Sequence, residues 1–452
     1  MSLPEALVQS RDQVLENHKK HLNSGLTMMF GLLDFSKLFV KAQGCKVWDS
    51  QDQVYLDFLG AYGALNIGHN HPRLLEALTQ IQTWPNLLQA SLGALSGALA
   101  HNLAAITPEN LQRCFFCNSG AEAVEGALKL ARAATGKQRL VYCNDSFHGK
   151  TMGALSVTGR LKYQKAFQPL IKDTIAVPFG DLKALEDTIK DKKTAAFIVE
   201  PIQGEGGIII PPAGYLAAAK DLCVKYDTLM ILDEIQTGLG RTGSMFAFEQ
   251  ENIAPDILCL AKSLGGGIMP IGVFITSDSI WEKAYGGMEK ALLHTSTFGG
   301  NSWATAAGII TLEIIFQEDL IGNAKVMGDY LLSGLKRLQE QHSLIKDVRG
   351  RGLLTGIEFR QVEGIAAKTL VGKLSQEYMG SLIAGELMNN HRIITAYSLN
   401  NPNVIRLEPP LCVTKTEIDT LLESLESILK NHKSFTGLVA SGAKNKIKSL
   451  FK

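Results

Sequence analysis

Leu229-Met230-Ile231-Leu232-Asp233-Glu234-Ile235-Gln236 is a short apolar run that ends on two acids. A continuous apolar run of this length reads as a strand buried on both faces, as in a parallel sheet covered by helices. An acid at the carboxyl end of such a strand stands where an open α/β sheet places its ligand groups. A charge there costs on the order of several kcal/mol unless something pairs with it. A cationic ring nitrogen is a suitable partner, and capping of the next turn is the alternative use for Asp233.

Similar short runs recur on both sides of this one. They predict strands over 113–118, 139–143, 195–200, 228–234, 257–261 and 271–276, with helical patterns between them over 121–134 and 214–226. This alternation predicts an α/β domain with a mainly parallel sheet covered on both faces. A long helical pattern over 303–317 leads out of it. Beyond about 325 come a helix, a Gly-rich strand over 349–359, a helix over 374–390, a strand over 403–407 and a helix from Lys415. This tail predicts a smaller α+β domain, completed by an N-terminal segment that is helical to about residue 25 and extended and apolar to about 60. The expected division is 1–60 (N-terminal segment packing with the small domain), 61–320 (large domain) and 321–452 (small domain).

Three further segments carry chemistry. In Leu258-Cys259-Leu260-Ala261-Lys262-Ser263-Leu264-Gly265-Gly266-Gly267 a lysine directly follows an apolar strand and precedes three glycines. Partial burial would favour its neutral amine, the form that makes a Schiff base. The glycines would let backbone approach a bulky group. In Asn118-Ser119-Gly120-Ala121-Glu122-Ala123 a strand gives way to a helix, whose free N–H groups and dipole form a natural phosphate seat. Ser119-x-x-Glu122 is also a capping box, which explains both residues without a ligand. Phe147-His148-Gly149-Lys150 offers an aromatic face for stacking on a ring, although a lone Phe serves more often as core.

Composition sets the outer bounds. The chain has 452 residues, 46% of them hydrophobic and 20% charged, as in an ordinary globular protein. Lys plus Arg (45) nearly balance Asp plus Glu (44), so no global field points to nucleic acid or an anionic membrane. No apolar run reaches the roughly 18 residues of a membrane helix. The first 25 residues, with Glu5, Arg11, Asp12, Glu16, Lys19 and Lys20, match neither a secretion signal nor a transit peptide, so a cytoplasmic protein is expected. Seven scattered cysteines do not form a disulfide framework. Cys114 and Cys117 lack a second pair, so they read as core residues and no metal is expected. Lys444, Lys446, Lys448 and Lys452 read as a solvated basic helix end.

Taken together, Asn118–Ala123, Ser146–Lys150, Val199–Gly207, Leu232–Gly243 and Leu260–Gly272 resemble the class III, or ω-, aminotransferases in order and spacing, over roughly residues 25 to 430. Asp256–Lys262, His294–Gly300 and Ile405-Arg406-Leu407-Glu408-Pro409-Pro410-Leu411 look most similar to the putrescine type, with the ornithine and acetylornithine types close behind. The resemblance implies pyridoxal-phosphate-dependent transferase fold type I, bound pyridoxal 5′-phosphate, and a homodimer with shared active sites. It implies a ping-pong transfer from a primary amine to a 2-oxo acid. Lys262 would hold the cofactor covalently and shuttle the proton, and Asp233 would pair with the pyridine nitrogen. Gln236 would meet the ring hydroxyl, with Phe147 (next to His148) on one ring face and Ile235 on the other. Ser119, Gly120 and Ala121 would seat the phosphate, together with Thr297 of the neighbouring subunit. Arg406 would bind the α-carboxylate of glutamate or 2-oxoglutarate, and Glu205 would cover Arg406 when the amine has none.

Two positions pull the donor in different directions. Lys150 stands where many relatives that bind a distal carboxylate have Arg, as in the putrescine type. Tyr62 matches a tyrosine of the ornithine type. A long-chain or carrier-bound substrate, and an aminomutase or decarboxylase of the same fold, stay open as alternatives.

Overall fold

The computed structural model describes residues 1–32, 35–88, 90–361 and 370–432. Its centre is a sheet of seven strands: β1 (Arg113–Cys117), β2 (Arg139–Cys143), β3 (Thr174–Val177), β4 (Thr194–Val199), β5 (Leu229–Asp233), β6 (Ile257–Leu260) and β7 (Gly272–Thr276). Their order across the sheet is β1-β7-β6-β5-β4-β2-β3. β7 is antiparallel to both β1 and β6, and every other pairing is parallel. Side chains alternate between two cores. Met230 and Leu232 enter one with Phe197, Leu258 and Val273; Ile231 enters the other with Ile198, Ile257 and Phe274. Burial on both faces is why these strands lack a polar alternation.

The helix α1 (Gly120–Thr135) follows β1 and buries six residues of its apolar face in the second core. A left-handed Gly136 ends it. The helices Tyr215–Lys225 and Ser302–Gln317 fall where the sequence predicts them. The sequence reading misses β3, an edge strand in which only Val177 is buried and whose apolar run, Ile175-Ala176-Val177, is cut short by Pro178.

The smaller parts differ in detail from expectation. The predicted strand over 349–359 is a hairpin, Ile345–Arg351 paired with Leu354–Phe359. Gly352, at φ 54°, makes the turn that an L-residue resists. Val404–Leu407 and Ala396–Tyr397 complete that sheet. The single N-terminal helix is three, Leu3–Leu7, Arg11–His21 and Ser24–Leu32. Capping boxes at Ser2/Glu5 and Ser10/Gln13 start the first two, and neither buries any residue. The apolar stretch to residue 60 folds as the antiparallel strands Phe39–Gln43, Lys46–Asp49 and Val54–Asp57, and Ile393–Ile394 adds in parallel to the last. The basic tail carrying Lys444, Lys446, Lys448 and Lys452 lies outside the described residues.

Two buried ionisable side chains tie these parts together. Arg241 is fully buried and donates to the carbonyls of Leu353 and Pro409 and to Asn66 Oδ1. One side chain thereby joins the turn after β5, the hairpin, the strand end at Pro409 and the loop before residue 70. Glu234, at 1% exposure, accepts from Thr237 Oγ1 (2.6 Å) and Phe248 N (2.9 Å). Burial pushes its carboxyl up to about 7.

Arg241→Ala should leave three buried acceptors unpaired, at a cost of about 3 kcal/mol or more. The thermal midpoint should fall by at least about 3 °C, and a fall within 1 °C would show that the brace contributes nothing. Glu234 gives a pH signature. Its folded pKa lies above that of the unfolded chain, so its contribution is greatest below about pH 4.5 and is lost as pH rises through about 7. Glu234→Gln lacks this dependence. Relative to the parent, the variant should gain up to roughly 3 kcal/mol between pH 5 and pH 8 in denaturant titrations; a constant difference would mean that the carboxyl is not perturbed.

Candidate active site

The carboxyl ends of β1, β2, β4, β5 and β6 converge on a cavity of about 350 Å³. Asp233 is the last residue of β5, and Lys262 lies two residues beyond β6, the strand paired with it. Phe147, His148 and Lys150 come from the segment after β2, and Gly120 and Ala121 are the first residues of α1. All of these line the cavity, with Ile235 and Gln236. Nine of the residues singled out in the sequence thus meet in one space.

Asp233 is 4% exposed. Its Oδ2 lies 2.7 Å from His148 Nδ1, and its Oδ1 accepts from Ile235 N at 3.1 Å. The capping use of Asp233 is therefore real but takes only one oxygen. His148 is buried as well, and its Nε2 has no hydrogen-bond partner among the described residues. Lys262 adopts a left-handed φ of 45°, an uncommon conformation for a residue with a side chain. It forms no hydrogen bond or salt bridge among the described residues. Burial holds its ammonium below the usual lysine range, against the opposing pull of Glu408 and Glu205.

The glycines after Lys262 serve a different purpose from the one expected. A Cβ on Gly266 would come within 2.4 Å of Leu74, and one on Gly267 within 2.2 Å of Leu65, so they admit protein side chains and not a ligand. At Ser119 the hydroxyl caps α1 by accepting from Glu122 N at 3.2 Å. The capping box is incomplete, because the Glu122 carboxylate turns back to Asn118 N (2.6 Å) and Nδ2 (3.0 Å).

A second cluster adjoins the cavity. Arg406, fully buried, donates through Nη2 to both oxygens of Glu205 at 2.6 Å, and its guanidinium lies 4.7 Å from the ring centre of Tyr62. Burial opposes the charge on Arg406, but Glu205 and Glu408 outweigh it and raise the pKa. Tyr62 is 45% exposed and left-handed at φ 60°. Lys150 is exposed at the cavity, with Nζ 5.9 Å from the Phe147 ring centre and 5.1 Å from that of Tyr163. Thr297 does not join either cluster. It lines a separate open cleft of about 380 Å³ with Asn86, Gly93 and Ser296.

Three members of the site escape the sequence reading. Glu200, directly after β4, accepts from Phe147 N (2.9 Å) and Gly204 N (3.0 Å), and burial pushes it up to about 7. Its signal was an acid ending an apolar strand, the same one that marks Asp233. Glu408, fully buried, accepts from Gln236 Nε2 with both oxygens at 3.0 Å. Its signal was a charge inside the apolar run of residues 403–413. Tyr163 carries no local signal. All seven cysteines are free thiols, and among the described residues no group of His, Cys, Asp and Glu is arranged to hold a metal.

Comparison with known proteins agrees with this geometry. The family model for aminotransferase class-III matches residues 33–429. Aminotransferase PigE of Serratia sp. (strain ATCC 39006) is 35% identical over 94% of this chain, which spans about half (54%) of that relative's length. A crystal structure of the ornithine aminotransferase from Toxoplasma gondii ME49 superposes with a TM-score of 0.83 at 28% identity, covering 98% of both chains. A second structure of the Toxoplasma gondii enzyme, with PLP at partial occupancy in its active site, gives the same TM-score at 29% identity over 98% of this chain and 97% of that one. Acetylornithine aminotransferase from Elizabethkingia anophelis gives 0.76 at 28% identity, over 94% of this chain and 100% of that one.

The residues present fit pyridoxal 5′-phosphate. The cavity has a carboxylate at its floor for a cationic nitrogen, an unpartnered lysine for the carbonyl carbon, and a helix N-terminus for the phosphate. A Cβ on Gly120 would come within 2.8 Å of Ile235 Cδ1, so only glycine lets that helix start stand so close to the cavity wall. With motif order, architecture and cavity chemistry in agreement, the chain belongs to the class III aminotransferases.

Proposed function

We propose that this protein is a pyridoxal-phosphate aminotransferase that moves a terminal amino group from a diamine or ornithine-like donor to 2-oxoglutarate in two half-reactions. The observation that carries the reading is the buried pairing of Arg406 with Glu205 beside the Lys262–Asp233 cavity. A site for carboxylates alone would have no use for an acid that covers its arginine.

The cofactor, when bound, supplies an electron sink for the carbanion left when an amine loses its α-proton. Everything else falls to the chain. Lys262 would anchor the cofactor and afterwards, as a free neutral amine, take that proton from the α-carbon and deliver it to C4′ of the cofactor; burial keeps the neutral form accessible. Asp233 holds the ring nitrogen protonated, and His148, 2.7 Å away, fixes the orientation of its carboxylate. Phe147 and Ile235 confine the ring faces, with Phe147 steadied by its backbone bond to Glu200. Gln236 would meet the ring hydroxyl. The free N–H groups of Gly120 and Ala121 receive the phosphate. Arg406 binds the α-carboxylate of the oxo acid once Glu205 turns away, and Lys150 attracts the distal carboxylate as a point charge. With an amine that has no α-carboxylate, Glu205 stays.

A homodimer supplies Thr297 to the partner's phosphate seat. The cleft around Thr297 is lined by Trp84, Leu87, Leu88 and Leu92, all exposed, and Leu92 is 99% exposed. An apolar surface of this kind is seldom left to water.

Purified protein should be yellow, and borohydride should fix the cofactor to Lys262 on peptide mapping. An adduct at another lysine, or none, removes the basis of the assignment. Lys262→Ala should still bind the cofactor but lose nearly all turnover. Arg406→Ala should weaken the 2-oxoglutarate half-reaction by at least about 30-fold, since losing one partner of such a contact costs roughly 2–5 kcal/mol. The half-reaction with putrescine should change much less. Rapid-scan spectra measure the halves separately, and equal damage to both would make Arg406 structural.

A further inference from the structure

We infer that Glu408 is a specificity-determining residue, a fixed second counter-ion to Arg406 that biases the donor site toward amines without an α-carboxylate. The inference rests on the aminotransferase reading above and narrows its donor class.

The two acids around Arg406 are held differently. Glu205 lies in the Gly204–Gly207 segment and accepts from Arg406 Nη2 and Leu399 N, with the Tyr62 ring over the guanidinium. Glu408 has no exposure at all. It follows the strand Val404–Leu407, and its own N–H donates to Phe58 O at 2.8 Å. Both its carboxylate oxygens accept from Gln236 Nε2 at 3.0 Å. On the remaining side, a Cβ on Gly63 would stand 3.1 Å from Oε2, so a larger residue there would press on the carboxylate. Glu205 keeps 8% exposure, whereas Glu408 has none.

Glu408 acts on Arg406 through charge alone. Its Oε1 is 3.6 Å from Nη1, within ion-pair range but beyond a hydrogen bond. Nε and Nη1 of Arg406 have no hydrogen-bond partner among the described residues. Those donors face no protein acceptor, yet the charge they carry is already balanced by an acid that cannot leave. With Glu205 in place, one guanidinium faces two carboxylates, which suits an amine with no carboxylate on its reacting carbon. With Glu205 turned out, the cluster is neutral rather than cationic. An α-carboxylate therefore meets donors without the full attraction of a bare arginine. Specificity is a difference of affinities, and a standing charge against carboxylates is an economical way to set it.

The holoenzyme gives the test. The ratio of half-reaction efficiencies for putrescine and glutamate, whose carboxylate sits on the reacting carbon, and the Kd of glutarate as an unreactive dicarboxylate, are compared between parent and Glu408→Gln. The variant keeps an amide oxygen for Gln236 but removes the charge. Glutarate should bind at least about tenfold more tightly and the ratio should shift toward glutamate by a similar factor. Glu408→Asp, which keeps the charge, should stay near the parent. If a folded E408Q moves neither quantity by more than twofold, or E408D moves both as far, Glu408 is not acting by charge and the inference fails. Glu205→Gln tests the same point should E408Q not fold. With Glu408 intact, the preference for putrescine should survive within about threefold; its abolition would assign the whole effect to Glu205. A parent that transaminates neither amine refutes the aminotransferase reading, while glutarate binding still decides the role of Glu408.

Discussion

Asp233 sits at the end of a strand whose inner residues have no contact with water, and its carboxylate is 2.7 Å from a histidine as deeply buried as itself. A charge so placed is tolerable only with partners, and the protein provides His148 on one oxygen and a backbone N–H on the other. Those partners fix what surrounds it. His148 must follow β2, so the segment carrying Phe147 and Lys150 is drawn over the same sheet edge. Glu200 then secures Phe147 from the end of β4. The parallel order of these strands is what brings their carboxyl ends to one edge, so a ring, a lysine and a phosphate seat can share about 350 Å³.

The second cluster follows another logic. Arg406 is too buried to be left alone and too useful to be permanently neutralised by one tight pair. The structure divides its compensation between a hydrogen-bonded acid and an enclosed acid at 3.6 Å. Arg241 supports the arrangement from behind. By binding Pro409 O and Asn66 Oδ1 it holds together the strand end that carries Glu408 and the loop that carries Tyr62 and Gly63.

Much of this was legible in the sequence because it depends on apolar runs and on what ends them. β2, β4, β5, β6 and β7 are largely buried strands, which announce themselves, and β1 offers an unbroken apolar run after Arg113 although only Cys117 of it is buried. Lys262, Asp233, Phe147 and Gly120 stand immediately after strands, so finding the strands located them. The edge strand β3 was illegible because three of its four residues are not buried. The purpose of Gly266 and Gly267 was misread for a related reason. A glycine signals close approach, but only the fold says that the approaching groups are Leu74 and Leu65. Glu408 was visible as a charge in an apolar run, yet its partners come from residues 236 and 406, and no local pattern links them.

The link between the two clusters is Gln236. It lines the cavity, and its amide nitrogen is committed to Glu408, with the Tyr62 carbonyl 3.5 Å away. A side chain reaching the ring from this position carries the position of Glu408 with it, and hence that of the charge beneath Arg406. A shift of Arg406 cannot then be wholly independent of the Lys262–Asp233 cavity. The coupling needs no moving domain. One amide, donating to two acid oxygens, joins the Arg406 cluster to that cavity.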